Sequence, residues 1–335
     1  METGSLTKEQ LLDMYSKMVK IREFENQAIE LAKMNLTRAA VHTYNGEEAI
    51  AVGVYASLTE KDCISSTHRG HGHCIAKGAD PVRMFAELMA RENGYCKGKG
   101  GSMHIADQKI GILGANGIVG GGIPIATGAA LAMRLQKEEG IVVCFFGDGA
   151  SNEGSFHESL NFASIFKLPI VFVCENNQYG ISTHVSKSTS AEHISDRAIG
   201  YHMPGRTVDG NDIKAVYKEF AEAAEYARAG KGPVLLEMET YRLSGHYYGD
   251  NENYRTREEV TSWRLKDPIK RCREYLSEEG VDQEQMDAMS RKIKEEILAA
   301  SAEAERGPIP DPANLEDDLY DDSFAEIKWK PWIKQ

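Results

Sequence analysis

Two uninterrupted apolar runs stand out along this chain: Ile141-Val142-Val143-Cys144-Phe145-Phe146 and Ile170-Val171-Phe172-Val173-Cys174. Runs of this kind suit strands buried on both faces. Between them, residues 152–166 carry helical spacing, and Lys167-Leu168-Pro169 ends that helix, because the residue before a proline is pushed out of the α region. The three elements predict a βαβ unit, whose crossover is right-handed and whose strands are parallel. Gly147-Asp148-Gly149 and Asn176-Asn177 therefore fall at the carboxyl ends of two parallel strands. Open α/β sheets bind their ligands at that edge.

The remaining pattern fills in around this unit. Thr7-Lys8-Glu9-Gln10 reads as a capping box opening an amphipathic helix with Leu11, Met14, Tyr15, Met18, Ile21, Phe24 and Ile29. Its apolar residues occupy more than one side, which fits packing on a partner chain as well as on its own domain. Gly46-Glu47-Glu48 starts a small-residue helix to Ser57, Cys63 to Ser66 suits a short strand, and Asp80-Pro81 supplies an N-cap and a first-turn proline. Glycines crowd 94–122, and a helix follows over 123–136. Polar loops are expected at 182–190 and 241–253, a turn at 208–211, a helix to Arg228, a strand at 234–240, and helices at 268–277 and 282–302 before a Pro- and Asp-rich tail. The expected architecture is a mostly parallel sheet flanked by helices. One domain spans 1–335, with a helical arm at 1–40, a core at 41–255, and helices and tail at 256–335.

Composition narrows the function classes. The net charge of −12 disfavours a nucleic-acid partner. No apolar run reaches the roughly 20 residues of a membrane span, and METGSLTKEQ has no signal-peptide character. Six cysteines lack CxxC spacing, and Cys144 and Cys174 sit in the apolar runs, so a reduced, cytoplasmic protein is expected.

The glycine-rich words fail the common nucleotide motifs. Asn152 stands where GxGxxG needs its third glycine after Gly147 and Gly149, as Met103 does after Gly98 and Gly100. A phosphate loop ending at Gly98-Lys99 would need glycine in place of Asn93 and a hydroxyl in place of Gly100. His71-Gly72-His73-Cys74 offers ligand pairs at i and i+2 without a third zinc ligand, so histidines hydrogen-bonded in a loop are the plainer reading. Beside Arg69, the same cluster suits receiving an anion or moving protons. Asp148 and Asn177 form the sharper pair: two oxygen ligands at parallel strand ends, with a helix start after the first. That arrangement suits magnesium holding a diphosphate.

Gly147-Asp148-Gly149 and Asn176-Asn177, separated by residues 150–175, resemble the thiamine diphosphate signature GDG…NN. Lys97 through His104, Asn116 through Gly120, Leu168-Pro169, Glu175 through Gly180 and Tyr254 through Glu259 are similar to the alpha subunits of acetoin and 2-oxo acid dehydrogenases over nearly the whole chain. The resemblance implies the thiamine diphosphate-binding fold, with magnesium held by Asp148, Asn177 and the Tyr179 carbonyl. It implies diphosphate contacts from Gly149, Ala150, Arg69, Arg197 and His246, with His68 where many relatives have tyrosine. Gly117 and Val119 would line the aminopyrimidine. His246, His71 and His42 would be the catalytic histidines, and His246 would also assist transfer to the lipoyl group. It implies a beta subunit supplying the activating glutamate, an alpha2-beta2 heterotetramer, and a lipoyl-bearing acyltransferase partner. The words around His68 and Asn116 favour acetoin as substrate; pyruvate or a branched 2-oxo acid, and a non-catalytic phosphate-binding scaffold subunit, are the alternatives. Tyr247 follows His246 where mammalian relatives carry a regulatory serine, so that phosphorylation switch is expected to be absent.

Overall fold

The computed structural model describes residues 6–318. Of the tail expected at 309–335, residues 319–335 lie outside that range, as do residues 1–5 of the opening segment. Helix α1 (Lys8–Lys33) starts on the expected box: Gln10 N donates to Thr7 Oγ1 at 3.2 Å, and Thr7 N donates to Gln10 Oε1 at 2.9 Å. Then come α2 (Glu48–Tyr55), β1 (Cys63–Ser65), α3 (His71–Ala76), α4 (Pro81–Leu88), β2 (Ile112–Gly114) and α5 (Gly122–Gln136). The organising unit is β3 (Val142–Gly147), α6 (Gly154–Ile165) and β4 (Ile170–Asn176). A small hairpin, β5 (Tyr179–Gly180) and β6 (Thr183–His184), precedes β7 (Gly205–Asp209), α7 (Ile213–Arg228) and β8 (Val234–Glu239). The chain then continues through α8 (Arg257–Arg264), α9 (Pro268–Glu278) and α10 (Gln283–Glu305).

Six strands pair in the order β2-β1-β3-β4-β8-β7, parallel at every pairing. Alternation along each central strand feeds both faces. Val143, Phe145, Val171 and Val173 join the side covered by α1, α2, α7, α9 and α10, whereas Val142, Cys144, Phe146, Phe172 and Cys174 join the side of α5 and α6. Burial on both faces is why these strands read as continuous apolar runs. From β1 the chain crosses to β2 on one side and later to β3 on the other. The order therefore reverses between β1 and β3, which opens a crevice at their carboxyl ends. No helix among the described residues is long and apolar enough to cross a membrane.

Three expectations need correction here, and helix α8 was not individually anticipated. The residues expected to form only a turn at 208–211 begin inside a strand: β7 is an edge strand of mostly exposed residues, held by pairing to β8, so its sequence carries no apolar alternation. Helix α8 has no buried residue and hence no apolar period; its signal is the cap, where Glu259 N donates to Thr256 Oγ1 at 3.1 Å. The helix expected from residue 152 begins at Gly154, because Gly149–Asn152 forms a tight 3-10 turn. The polar loop expected at 182–190 contains β6 and a second 3-10 turn, Val185–Lys187.

The glycine-rich segment wraps an anion belonging to the chain itself. The buried Glu87 carboxylate accepts backbone N–H donations from Cys96 at 2.7 Å, Gly98 at 3.0 Å, Gly100 at 2.8 Å and Gly101 at 3.0 Å. A Cβ on Gly94 would come 2.4 Å from Glu87 Oε2, so a side chain there would displace the carboxylate. These glycines fold round a glutamate rather than a nucleotide. Glu87→Gln turns an amide NH2 toward donors that need acceptors. It should cost roughly 2–4 kcal/mol and speed amide exchange across residues 96–101, read by denaturant melts and hydrogen exchange; unchanged exchange there would contradict this account.

Candidate active site

A cavity of about 310 Å³ opens at the β1–β3 crevice. Segments that follow four strands build its walls. Ser66 to Arg69 follow β1, Gly147 to Ala150 end β3, Asn177 to Ile181 follow β4, and Arg242 and His246 follow β8. Asn116 and Ile118 to Gly120 form the outer lip, and Glu47 enters from the start of α2. Of the residues anticipated from sequence, Asp148, Gly149, Ala150, Asn177, Tyr179, His68, Arg69, Val119 and His246 line this space.

Asp148 is 2% exposed, and its Oδ2 is buried without a hydrogen-bond partner. Burial pushes its carboxyl up to about 7, against the opposing pull of nearby backbone amides and Arg242. A buried carboxylate oxygen with no partner in the protein suits a hard cation. The backbone leaves room for one: a Cβ on Gly180 would lie 3.3 Å from Gly149 Cα and 4.0 Å from Asp148 Oδ2. Asn177 Nδ2 donates to Glu47 Oε1 at 3.1 Å, so the Asn177 Oδ1 takes only a 3.4 Å contact from Tyr179 N. The donor set fits a magnesium ion and a diphosphate.

Cations and histidines line the rest of the cavity. Arg69 donates to the Thr43 carbonyl and, at 3.2 Å, to the His246 carbonyl, and its Nε lies 3.7 Å from Glu47 Oε1. Arg242 reaches the carbonyls of Ile181 at 2.8 Å and Tyr179 at 3.4 Å, and the Tyr254 hydroxyl at 2.7 Å. The rings of His42, His68 and His246 pack with centroids 4.9–5.5 Å apart. Burial, reinforced by Arg69, lowers His42 to about 3 and His246 to about 4, and drives His68 down as well. Three neutral imidazoles beside two guanidiniums make a pocket suited to an anion.

Other anticipated residues fall elsewhere. His71 is not at the cavity: its Nδ1 meets Glu25 at 2.9 Å and its Nε2 meets Ser102 at 2.9 Å, so both nitrogens are committed inside the protein. His73 is likewise bonded to Ser66 and Glu175, and the pair shares no metal geometry. Among the described residues, the group with metal-ligand spacing is His193, Glu237 and Glu239, away from that cluster. His42 stands behind His68 and His246 instead of lining the space. Gly117 faces His104, not the cavity. Arg197 clamps the outside of the 3-10 turn, bonding the Ser151 carbonyl and, at 2.9 Å, Asn152 Oδ1.

Glu47 and Arg242 were not anticipated. Arg242 was findable, since the strand-end rule that singled out Asp148 also applies to the residues after β8. Glu47 was not, because Glu47 and Glu48 look alike in sequence and only the fold separates them.

The crevice is a sheet-edge site at the carboxyl ends of parallel strands in an α/β chain. The chain belongs to the dehydrogenase E1 component family, which it matches over residues 16–313. It is 49% identical over 317 residues to the alpha subunit of acetoin:2,6-dichlorophenolindophenol oxidoreductase from Bacillus subtilis, covering 94% of this chain and 95% of that one. The corresponding subunit from Cupriavidus necator is 45% identical over 318 residues, with the same coverage of each. The pyruvate dehydrogenase E1 alpha subunit of Zymomonas mobilis is 36% identical over 315 residues, covering 93% of this chain and 88% of that one.

The depressed histidines set a pH signature. They stay neutral in the fold while the unfolded chain protonates them below about 6.5, so stability is lost as pH falls from there toward 4. A bound anion favours their charged forms and raises their pKa values. Pyrophosphate binding at pH 5.5 should therefore take up protons, measured by calorimetry in two buffers of different ionisation enthalpy; heats independent of buffer would contradict the assignment.

Proposed function

We propose that this chain is the alpha subunit of a thiamine diphosphate- and magnesium-dependent dehydrogenase component. It cleaves acetoin and passes a two-carbon unit to a lipoyl-bearing acyltransferase. The observation that carries the reading is the unpartnered Asp148 Oδ2 in a cavity that Asn177, Arg69 and Arg242 also line. The cofactor, when bound, supplies the electron sink for breaking a carbon–carbon bond next to a carbonyl. The chain's own residues hold and orient it. Asp148, Asn177 and the Tyr179 carbonyl take the cation. The amides of Gly149 and Ala150 and the two arginines take the diphosphate. Val119 gives the cofactor an apolar support at the lip. His246, on the loop above, is placed to serve the acceptor.

A beta chain completes the site, in an alpha2-beta2 assembly. Support comes from the relatives' names as alpha subunits and from the apolar residues left facing solvent: Ile118 at 72% exposure on the lip, with Ile125, Phe162 and Ile165 on α5 and α6. Residues 1–335 act as one unit in this reading. Six free cysteines support a cytoplasmic location. Acetoin is favoured over pyruvate because the acetoin-directed relatives are the more similar.

Reconstitution with the beta chain tests the proposal. Dye reduction should be fastest with acetoin and slower with pyruvate or branched 2-oxo acids; a pyruvate preference reassigns the substrate, and no turnover with any of them indicates a scaffold. Asp148→Ala should weaken magnesium-dependent cofactor binding by more than about 100-fold in calorimetry, since outer-shell partners alone are worth roughly 10–100-fold. Unchanged affinity would remove the metal assignment.

A further inference from the structure

Two adjacent glutamates at the start of α2 meet opposite fates. Glu48 is tied to Arg22, whose Nη2 donates to it at 3.0 Å, and it accepts the Gly46 N–H at 3.0 Å. Glu47 points the other way, into the cavity wall, and is 0% exposed. It stands at the N-cap position of α2, yet its side chain makes no capping bond. Its Oε1 accepts from Asn177 Nδ2 at 3.1 Å and lies 3.7 Å from Arg69 Nε, while its Oε2 is buried with no partner. A glutamate kept for packing or capping would have both oxygens satisfied.

The neighbouring asparagine shows the same device completed. Asn176 Nδ2 donates to the buried Glu237 at 2.7 Å, and Glu237 also accepts the Ser195 N–H at 3.0 Å. Each side-chain amide of the Asn176-Asn177 pair is thus hooked by its own buried carboxylate. In both cases the amide nitrogen donates to a carboxyl oxygen, so the amide oxygen faces away from it. For Asn177 that orientation leaves Oδ1 facing away from Glu47, in a cavity that Asp148 also lines, and a flip would give up the bond to Glu47.

We infer that Glu47 is a positioning residue for the cation half of this site: through Oε1 it fixes the Asn177 amide, and its Oε2 stands unpartnered in the cavity wall. Groups around a metal that orient its ligands act in this way. One carboxylate therefore couples the cation side, through Asn177, to the phosphate side, through Arg69. The inference rests on the magnesium–diphosphate reading above.

The test uses Mn2+ as a probe in the full alpha chain assembled with its beta subunit and thiamine diphosphate, with bound and free ion read by electron paramagnetic resonance. Glu47→Ala should raise the Mn2+ dissociation constant about 10–100-fold, and Glu47→Gln, which keeps an acceptor for the amide, should recover most of that loss. In an Asn177→Ala background, Glu47→Ala should add nothing beyond about twofold, the scatter expected of independent sites. If Glu47→Ala does not fold, Glu47→Leu carries the same comparison. Wild-type Mn2+ affinity in Glu47→Ala, equal losses in the Gln and Ala variants, or additive losses with Asn177→Ala would each overturn the inference. Asp148→Ala separates the two levels. If it abolishes Mn2+ binding while Glu47→Ala does not weaken it, only the role of Glu47 falls; if it too binds normally, the cofactor reading falls and this inference with it.

Discussion

A carboxyl oxygen buried without a hydrogen-bond partner costs stability. The structure holds Asp148 in that state from several directions. Strand β3 delivers it to the sheet edge, and the 3-10 turn after it fixes the backbone. Gly149 and Gly180 approach closely enough that no side chain fills the gap, and Arg197 clamps the turn from outside. Its oxygen can then be satisfied only by something that enters the cavity. The two arginines, the neutral histidines and the amide orientation of Asn177 fit the same reading of the site.

The histidines divide by what the fold leaves them. His71 joins α1 to the loop at Ser102 and has no nitrogen to spare. His73 sits in a chain from Ser66 to Glu175 and Tyr44. Glu175 Oε1 takes both the Tyr44 hydroxyl and His73 Nε2, and His73 Nδ1 meets the Ser66 hydroxyl, so both ring nitrogens are committed inside the protein. His42, His68 and His246 lack such carboxylates and face guanidiniums instead, and they are held neutral. Chemistry at the cavity therefore belongs to the loops after β1 and β8, and rigidity to the histidines of α3.

The βαβ unit was legible because burial on both faces writes itself as uninterrupted apolar residues, and the strand-end position of Asp148 and Asn177 follows from it. Caps were legible too: Thr7 and Asp80 stand where their helices begin. Edge strand β7 and solvent-facing α8 were not, because neither buries an apolar stripe. The 71–73 region misled for a different reason. Histidines separated by glycine look like an open loop, but the segment folds as helix α3, and the buried Glu25 and Glu175, remote in sequence, capture the two rings. The glycine-rich segment failed the nucleotide motifs, but what it wraps was not legible, since a loop that wraps a carboxylate has the same composition as one that wraps a phosphate. Glu47 was hidden by its likeness to Glu48.

The most direct test is anomalous diffraction from crystals of the alpha chain with its beta subunit, grown with Mn2+ and thiamine diphosphate. The account predicts a manganese peak within about 2.0–2.3 Å of both Asp148 Oδ2 and Asn177 Oδ1, close to the distances of hard cations to oxygen. A peak at His193, Glu237 and Glu239 instead, with Asp148 still unpartnered, would contradict it.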